Sequence, residues 1–425
     1  MFIDWVNNAS FILESAGVRL ICDPWLDGTI FNSGWKLLSE TKLRYEDFGD
    51  ITHIWLSHEH PDHFSPPNLR SIPEKHRRKI TVLFHDTKDK RVVNVCKALG
   101  FQVQELAEGE PVELAEDFRL VGGRQGLIDS WMAVFSEGKT VLNMNDCVYD
   151  RRRDMEAIKS KLGRVDLLLS QFSFANWVGN PGDHACHKEH AKRKFAEVRT
   201  QVQIFKPAIF VPFASFIYFC HAENFFMNQA VNHIRDVYRF VSQELHVPTV
   251  VLYPGDHWEM GAAHDSDEAM RRYDLDYRRM MTTAPETTGS VTVNKLQEAA
   301  QAFILKSASR NERYLLNALV SSVVQIRDLG ILVEFSYHHG LTEVTGKHPD
   351  IIMSSDSLLH CLSYDWGGEC LAINGRYEVP AGGHPQLFFW IFRVPAHNRL
   401  GSTFDLAFLA RQAVMRTVRA IAPQG

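Results

Sequence analysis

Residues 57–63 read SHEHPDH at the end of an apolar run with strand character, and this stretch decides the fold of the chain. Imidazole and carboxylate groups are the usual protein ligands of Zn²⁺, iron and Mn²⁺. A strand end can aim His58 and His60 to one side. The turn that follows can bring Asp62 and His63 around the same point. The stretch therefore predicts a metal site, and the alternative is a polar surface loop that holds three histidines by chance.

The organisation of the chain changes twice along its length. Strand and helix patterns alternate through residues 1–260, which predicts an α/β domain with two sheet layers inside and helices outside. Residues 261–290 are polar and include the segment TTAPE at 282–286, so we predict a linker or surface excursion there. Residues 291–425 show helical patterns followed by strand-like runs such as Pro385–Val394, which indicates a second, α+β domain.

Composition narrows the class of protein. The chain has 425 residues, which is long for a single core, and its 45% hydrophobic and 11% aromatic residues are typical of a globular protein. A formal net charge of −5 gives no indication of a nucleic-acid partner, although a local basic patch could still serve a small anionic substrate. The seven cysteines are scattered and form no CxxC pair, so we expect a reducing, cytoplasmic compartment.

The sequence gives no indication of a membrane partner. The N-terminus lacks the basic segment and apolar run of a signal peptide. The most apolar stretch, residues 207–226, contains two prolines, a histidine and a glutamate. A membrane-spanning helix needs about 20 mostly apolar residues. We therefore expect a chain outside the membrane that acts on a small molecule.

The pattern H-x-H-x-D-H after a buried strand resembles the signature of the metallo-β-lactamase superfamily. The segments Asn8–Glu14 and Ile21–Leu26 resemble the opening of the ascorbate-6-phosphate lactonase-like branch. Five segments are similar to the metallo-β-lactamase-like part of the CMP-N-acetylneuraminate hydroxylase family: Asp23–Leu26, Gly34-Trp35, His58–His63, Leu142–Cys147 and Pro212–Ala214. The resemblance covers roughly the first 260 residues and implies a four-layered αββα fold.

The resemblance also implies a set of metal ligands. Its members are His58 and His60 for one ion, Asp62 and His63 for a second ion, and Asp146 as the bridging carboxylate. Asp62 would be a ligand or the base that orients a water molecule, which makes it the candidate catalytic residue. Asp23 resembles a buried aspartate that orients the cluster rather than binding the metal. The metal would be zinc or iron, with manganese as a further alternative.

Two departures from the superfamily pattern leave the number of metal ions open at one or two. The superfamily supplies a further histidine near the position of Gln125, but no histidine occurs between His85 and His184. Ala214 stands where the last histidine of the pattern is expected. His221, seven residues later, is the candidate replacement and completes the predicted ligand set. Open coordination positions could then hold water or substrate.

The C-terminal part carries a second resemblance. The segments Asp350–Leu359 and Leu371–Arg376 resemble sterol-carrier-like domains, in which a twisted sheet and helices enclose an apolar tunnel. This resemblance implies either an apolar pocket or a homodimerisation module. An ordinary α+β domain is the alternative.

The motif predicts a hydrolase first, and two alternative functions remain open. A metal ion that lowers the pKa of bound water favours hydrolysis of a small ester, lactone, amide or phosphodiester. The rival is an iron-dependent oxygenase, because the same ligands accept iron and open positions can bind O₂. The related hydroxylase uses a Rieske cluster, which needs paired Cys-x-His and Cys-x-x-His motifs. This sequence has neither, so that route would need a separate redox partner. The third alternative is a metal-stabilised binding module without catalysis.

Overall fold

The computed structural model describes residues 1–149 and 151–407, which fall into two compact units. The first unit consists of Met1–Ala175, His184–Cys220 and Met227–Pro285. The second unit consists of Asn176–Asp183, His221–Phe226 and the residues from Glu286 onward.

The first unit is built on two large mixed sheets. Its strands are β1 (Phe2–Asn7), β2 (Ser10–Ser15), β3 (Val18–Cys22), β4 (Trp35–Leu37), β5 (His53–Trp55), β6 (Thr81–His85), β7 (Gln102–Leu106), β8 (Pro111–Ala115), β9 (Phe118–Gln125), β10 (Asp129–Ser136), β11 (Lys139–Asn143), β12 (Leu167–Gln171), β13 (Ile209–Phe213), β14 (Ile217–Phe219) and β15 (His257–Glu259). One sheet has the order β15-β1-β2-β3-β5-β6-β7, and the other has the order β13-β12-β11-β10-β9-β8. The short strands β14 and β4 pair with each other.

The helices of the first unit connect and cover these strands. They are α1 (Pro66–Ser71), α2 (Glu74–Arg77), α3 (Arg91–Ala98), α4 (Arg152–Leu162), α5 (His184–Phe205), α6 (Ile234–Arg239) and α7 (Ser266–Thr282). A 3₁₀ helix spans Tyr45–Asp50, and a π-helical turn spans Phe240–Glu244.

The two sheets pack against each other through alternate side chains of their strands. Phe11 of β2 and Trp5 of β1 lie against Phe213 of β13, with ring centroids 5.6 and 6.0 Å away. Ile12, the neighbour of Phe11, belongs instead to a core that includes Leu69 of α1 and residues of α3. Successive side chains of a strand point to opposite faces. Since α5 packs on β12 and α4 packs on α5, the layers follow the order helix, sheet, sheet, helix.

The functional loops lie where parallel strands end. Strands β3, β5, β6 and β7 are parallel to one another, so their carboxyl ends share one edge of the first sheet. In the second sheet β11, β12 and β13 are parallel, and the antiparallel strand β10 begins at the edge where β11 ends. Crevices at the carboxyl ends of parallel strands are where α/β proteins bind ligands.

The second unit combines one sheet with helices. Its elements are α8 (Val293–Ala308), α9 (Arg313–Asn317), β16 (Ser322–Ile326), β17 (Ile331–Ser336), β18 (Gly340–Val344), β19 (Ile351–Met353), α10 (Ser355–Ser363), α11 (Gly367–Asn374), β20 (Tyr377–Glu378) and α12 (Pro385–Arg399). The strand order is β18-β17-β16-β19-β20, with an apolar core between sheet and helices. The sterol-carrier-like resemblance stays a prediction. Throughout the described ranges, each helix is too short or too polar to cross a membrane.

The expected linker at 261–290 is wrong for most of its length. Residues 266–282 form α7, which belongs to the first unit. The helix buries Met270, Tyr273 and Tyr277 at a spacing of three and four residues, which is one face of an α-helix. Nε1 of Trp5 donates a hydrogen bond to the Tyr273 hydroxyl at 3.2 Å. The polar composition of the segment reflects only the exposed face of this helix.

The expected strand at Pro385–Val394 is also wrong, because the segment belongs to helix α12. A continuous apolar run is compatible with a buried strand or a buried helix, so its composition cannot distinguish the two. In the structure Phe388, Ile391 and Phe392 are buried at helical spacing. Pro385 stands in the first turn of the helix, where its missing N–H costs nothing.

Candidate metal centre

Loops at the shared sheet edge deliver the candidate ligands. His58, His60 and His63 lie in the loop after β5, and Asp146 lies in the loop after β11. Asp129 is the first residue of β10, which pairs with β11. Because strand pairing fixes the positions of these loops, side chains that are distant in sequence converge.

The donor atoms form two overlapping groups that share His58. One group contains His58, His63 and Asp146; the other contains His58, His60 and Asp129. Within each group the donor atoms lie within 4.8 Å of one another. Nε2 of His58 is 2.8 Å from Nδ1 of His60 and 3.8 Å from Oδ1 of Asp129. Ligands that each lie about 2.0–2.2 Å from one ion are separated by about 3–4 Å, so this spacing is suitable.

In the described part of the chain, two buried donor atoms of the cluster have no hydrogen bond, which is the property that fits a metal ion. Nε2 of His63 lies 3.0 Å from Oδ2 of Asp62 and 3.3 Å from Oδ2 of Asp146. These contacts lack hydrogen-bond alignment, and within the described ranges the buried Nε2 atom has no hydrogen-bond partner. The same holds for the buried Oδ1 atom of Asp62. Unpaired buried groups cost about 1–3 kcal/mol each. A divalent cation would remove that cost, so the residues fit zinc, iron or manganese.

Asp23 supports the cluster through hydrogen bonds. It is fully buried, and its Oδ1 accepts a hydrogen bond from the backbone N–H of Ser57 at 2.8 Å. Its Oδ2 accepts hydrogen bonds from the Ser57 hydroxyl at 2.8 Å, from Nδ1 of His63 at 2.9 Å and from Nδ2 of Asn145 at 2.7 Å. A proton on Nδ1 of His63 leaves Nε2 bare and facing the cluster, which is the tautomer that a metal ligand needs.

The amino-acid sequence of this region matches a known family. Residues 2–169 match the beta-lactamase superfamily domain. This part of the chain has the metallo-β-lactamase fold. The fold predicted from the histidine motif is thereby confirmed.

Relatives of this metallo-β-lactamase domain occur in larger proteins. A protein of Mycolicibacterium smegmatis that is named for a Rieske 2Fe-2S iron–sulfur centre is 29% identical over 189 residues, or 42% of this chain and 35% of that protein. The cytidine monophosphate-N-acetylneuraminic acid hydroxylase of Mus musculus is 25% identical over 243 residues, or 53% of this chain and 41% of that protein. The chain thus spans less than half the length of these two relatives.

One solved structure with a similar backbone is CmlA, a diiron β-hydroxylase from Streptomyces venezuelae. Its sequence is 15% identical to this chain, and the TM-score is 0.44. The aligned region covers 61% of this chain and 54% of CmlA.

The structure brings together the ligands that the motif predicts in the first unit. These are His58, His60, Asp62, His63 and Asp146. Asp129 joins them and was missed by the sequence analysis. The superfamily pattern directed attention to a histidine near Gln125, whereas this chain supplies a carboxylate four residues later. The signal that could have identified Asp129 is the presence of an aspartate at the start of the strand that follows Gln125.

His221, the sixth predicted ligand, belongs to the second unit. Among the described residues, it is not a member of either group of converging donors. Its Nδ1 accepts a hydrogen bond from the backbone N–H of Glu223 at 3.2 Å, and its Nε2 lies 3.4 Å from the Thr288 hydroxyl. Both ring nitrogens are therefore engaged within that unit. We leave His221 out of the proposed metal site.

A side-chain relay orients Asp146 in the metallo-β-lactamase domain. Nε2 of Gln171 donates a hydrogen bond to Oδ1 of Asp146 at 3.2 Å. Nζ of Lys194 donates to Oε1 of Gln171 at 2.7 Å. The relay occupies Oδ1 of Asp146, so Oδ2 is the oxygen that faces the cluster. Outer contacts of this kind commonly fix the orientation of a ligating carboxylate.

The electrostatics of the cluster favour a cation. Burial, together with the charge of the neighbouring His63, holds the pKa of His58 well below its usual value, so His58 is a neutral ligand. Burial alone would lower the pKa of His63, but the carboxylates of Asp62 and Asp146 outweigh it and raise that pKa well above its usual value. Burial and the charge of Asp146 raise the pKa of Asp129 to about 7. The carboxylates of Asp23, Asp62 and Asp146 around His63 stabilise positive charge, which a proton or a metal ion can supply.

Proposed function

We propose that this domain is an iron-dependent oxygenase, rather than the hydrolase that the sequence analysis favours. The observation that supports the proposal is the presence of Asp129 among the converging donors. With His58 and His60 it makes a set of two histidines and one carboxylate, and His58, His63 and Asp146 make a second such set. Two histidines and one carboxylate with open positions are the typical ligands of non-haem iron in oxygenases.

The charge of Asp129 supports iron over zinc on its side of the cluster. An aspartate at this point replaces the neutral histidine that the superfamily pattern supplies. The additional negative charge stabilises a metal ion in a higher oxidation state. Carboxylate oxygen is also a harder ligand than imidazole nitrogen, which weakens the preference for zinc. Bound iron would pass electrons from an external reductant to O₂.

The side chains around the cluster would orient its ligands and exclude water. Asp23 fixes the ring of His63 through the hydrogen bond to Nδ1. Gln171 fixes one oxygen of Asp146. The ring of Phe31 meets the ring of His60 edge to face, with centroids 5.9 Å apart, and covers that side with an apolar surface. These contacts limit the rotation of the ligands and the number of water molecules that reach them.

The names of the relatives are compatible with this chemistry. One relative is named for a Rieske iron–sulfur centre, and another is a hydroxylase. This chain has neither Rieske motif. We propose that a redox protein supplies the electrons and that the substrate is a small anionic molecule. The scattered cysteines, all without disulfides in the described ranges, are compatible with the cytoplasm.

Hydrolysis is the second candidate, and Asp62 favours it. One oxygen of Asp62 faces His63, while Oδ1 is buried and has no hydrogen-bond partner among the residues that the structure describes. A carboxylate with an unused oxygen beside a metal site can accept a proton from water. The two candidates share the ligand set and differ in the metal and in the need for O₂.

The test compares the wild-type protein with Asp129→His. Both proteins are purified without added metal, their metal content is measured, and Fe²⁺ and Zn²⁺ then compete for the metal-free forms. We expect the wild type to retain iron and the variant to shift towards zinc, because a neutral imidazole replaces a carboxylate. Asp117→His, at an exposed position outside the cluster, is the matched control and should leave the preference unchanged.

Oxygen consumption provides the second measurement. Iron-loaded wild type should consume O₂ when a reductant is supplied and should change its visible absorption on oxidation. Asp129→His should lose most of this consumption. Turnover of esters or lactones by the zinc-loaded protein without O₂, together with no oxidation of the iron-loaded protein, would refute the oxygenase and leave hydrolysis.

A further inference from the structure

Two helices of the first unit carry a surplus of positive charge. Together α4 and α5 contain nine Lys and Arg side chains against four Asp and Glu side chains. The whole chain, by contrast, has a formal net charge of −5. Because the charge of these helices is opposite in sign to that of the chain, their surface would attract and orient a negatively charged partner.

Five of these basic side chains are exposed near the beginnings of the two helices and form a basic patch: Arg152, Arg153, Lys188, Lys192 and Arg193. Helix α4 packs on α5. Helix α4 follows β11, and α5 follows β12, the parallel neighbour of β11. Both helices therefore begin at the carboxyl edge of the second sheet, which also carries Asp146. The basic patch lies at the same edge as the metal centre.

The charges of the basic patch face solvent. Among the residues that the structure describes, Lys188, Lys192 and Arg193 form no ion pair. The two arginines of α4 pair with acidic side chains of their own helix, at distances of 3.0 and 3.6 Å. Exposed pairs of this kind contribute little to stability, so they can be exchanged for a partner. A small molecule would need a more enclosed site. The exposed patch therefore suits a macromolecule.

Hydrogen bonds connect the same helix to a metal ligand. Nζ of Lys194 in α5 donates to Oε1 of Gln171 at 2.7 Å, and Nε2 of Gln171 donates to Oδ1 of Asp146 at 3.2 Å. The side chain of Lys194 is only 13% exposed. Lys192 precedes it by two residues, which is about 200° around an α-helix, so Lys192 stands on the opposite, outer side. A partner on that side lies about 10–12 Å, the width of one helix, from Lys194.

We propose that the basic patch is the docking surface of the redox protein that supplies the electrons, and that this protein is a small, acidic iron–sulfur protein of the ferredoxin type. The inference rests on the proposed oxygenase function. Opposite charges on two surfaces speed their encounter and fix their orientation. Each reduced partner loses one electron, which reduces one Fe³⁺ to Fe²⁺. The connection through Gln171 to Asp146 favours an electron carrier over a nucleic acid, which would use the charge alone.

The first test measures binding. The probe is an acidic plant-type [2Fe–2S] ferredoxin, titrated into the metal-free full chain by calorimetry at increasing ionic strength. We expect binding at low ionic strength that weakens with salt, because the Debye length falls from about 30 Å at 0.01 M to about 8 Å at 0.15 M. Lys188→Glu/Lys192→Glu should lower the affinity roughly tenfold or more, because the charge of the patch changes by four units. Lysine and glutamate are both good helix formers, so α5 should persist.

Lys75→Glu/Lys79→Glu is the matched control. Both lysines are exposed, and they lie in and after α2, before the amino end of β6. The charge changes by the same amount, and the affinity for ferredoxin should stay within about twofold of the wild type. If the Lys188/Lys192 double glutamate variant does not fold, Lys188→Gln/Lys192→Gln removes the two positive charges and should still weaken binding several-fold.

Three results of the binding test would overturn the proposal. The first is an absence of ferredoxin binding at low ionic strength. The second is an equal loss of affinity in the patch variant and the control variant, which would show that only the net charge matters. The third is tighter binding of a short DNA duplex than of ferredoxin, lost in the patch variant, which would assign the patch to nucleic acid.

The second test separates docking from the proposed function. Oxidised, iron-loaded protein is mixed anaerobically with reduced ferredoxin or with dithionite, and the reduction is followed by visible absorption. The patch variant should be reduced by ferredoxin roughly tenfold or more slowly than the control variant, and by dithionite at an equal rate, since a small reductant needs no docking. Reduction by ferredoxin at equal rates in both variants would overturn the docking surface and leave the oxygenase. Wild type that neither reductant reduces would refute the oxygenase, and with it the role of the patch in electron transfer.

Discussion

Replacing Asp23 by asparagine should weaken metal binding without unfolding the domain. Three donors meet on Oδ2 of Asp23, from Ser57, His63 and Asn145, so the asparagine oxygen would take that side. The new NH₂ group would then face the backbone N–H of Ser57, which now donates to Oδ1 at 2.8 Å. One hydrogen bond and the negative charge behind His63 are lost. Loss of such outer contacts costs about 10–100-fold in metal affinity, or about 1.4–2.7 kcal/mol.

The same substitution should be tolerated by the fold. Asp23 has a φ of +40°, a left-handed conformation that asparagine adopts more readily than most residues. An unsatisfied backbone N–H costs about 1–3 kcal/mol, against a typical domain stability of about 5–15 kcal/mol. The variant should therefore stay folded, with a lower melting temperature.

The assay is a Zn²⁺ titration of the metal-free protein against a competing chelator, with circular dichroism as the check on folding. Asp166→Asn is the matched control, because Asp166 is also buried and accepts a backbone hydrogen bond, from Thr140 at 2.9 Å, outside the cluster. It should lower stability and leave Zn²⁺ affinity unchanged. Zn²⁺ affinity of Asp23→Asn within twofold of the wild type, or an equal loss in Asp166→Asn, would refute the supporting role of Asp23.

Three further results are expected. His58→Ala should lose most bound metal with an unchanged circular dichroism spectrum, because both donor groups share His58. His221→Ala should keep its metal content. The reverse pattern would contradict the assignment of the metal ligands. Gln171→Leu should weaken metal binding about 10–100-fold in the chelator titration, since Asp146 loses its orienting contact, and an unchanged affinity would exclude the relay. Tyr273→Ala should lower the free energy of unfolding by about 3–5 kcal/mol in chemical denaturation. The exposed Leu275→Ala on the same helix should change that free energy by less than about 1 kcal/mol. Equal losses in the two variants would show that α7 is peripheral.

The sequence by itself determined the features that depend on neighbouring residues. The run from His58 to His63 predicted a metal site and the metallo-β-lactamase fold, because four ligand side chains within six residues need only one strand end and one turn to converge. Asp146 could be predicted for a related reason, since it follows an apolar strand. The resemblance also implied that Asp23 would be buried at a strand end, which the structure bears out.

Only the tertiary structure decided which distant residues join the cluster. Asp129 enters because β10 pairs antiparallel with β11, and that pairing carries the start of one strand to the end of the other. His221 belongs to the second unit, because the first unit is interrupted after Cys220, and no local pattern records that division. The helix α7 was also missed, because its buried apolar residues alternate with charged ones along the sequence. Composition and spacing act along the chain, whereas ligation and burial depend on distances that strand pairing and packing create.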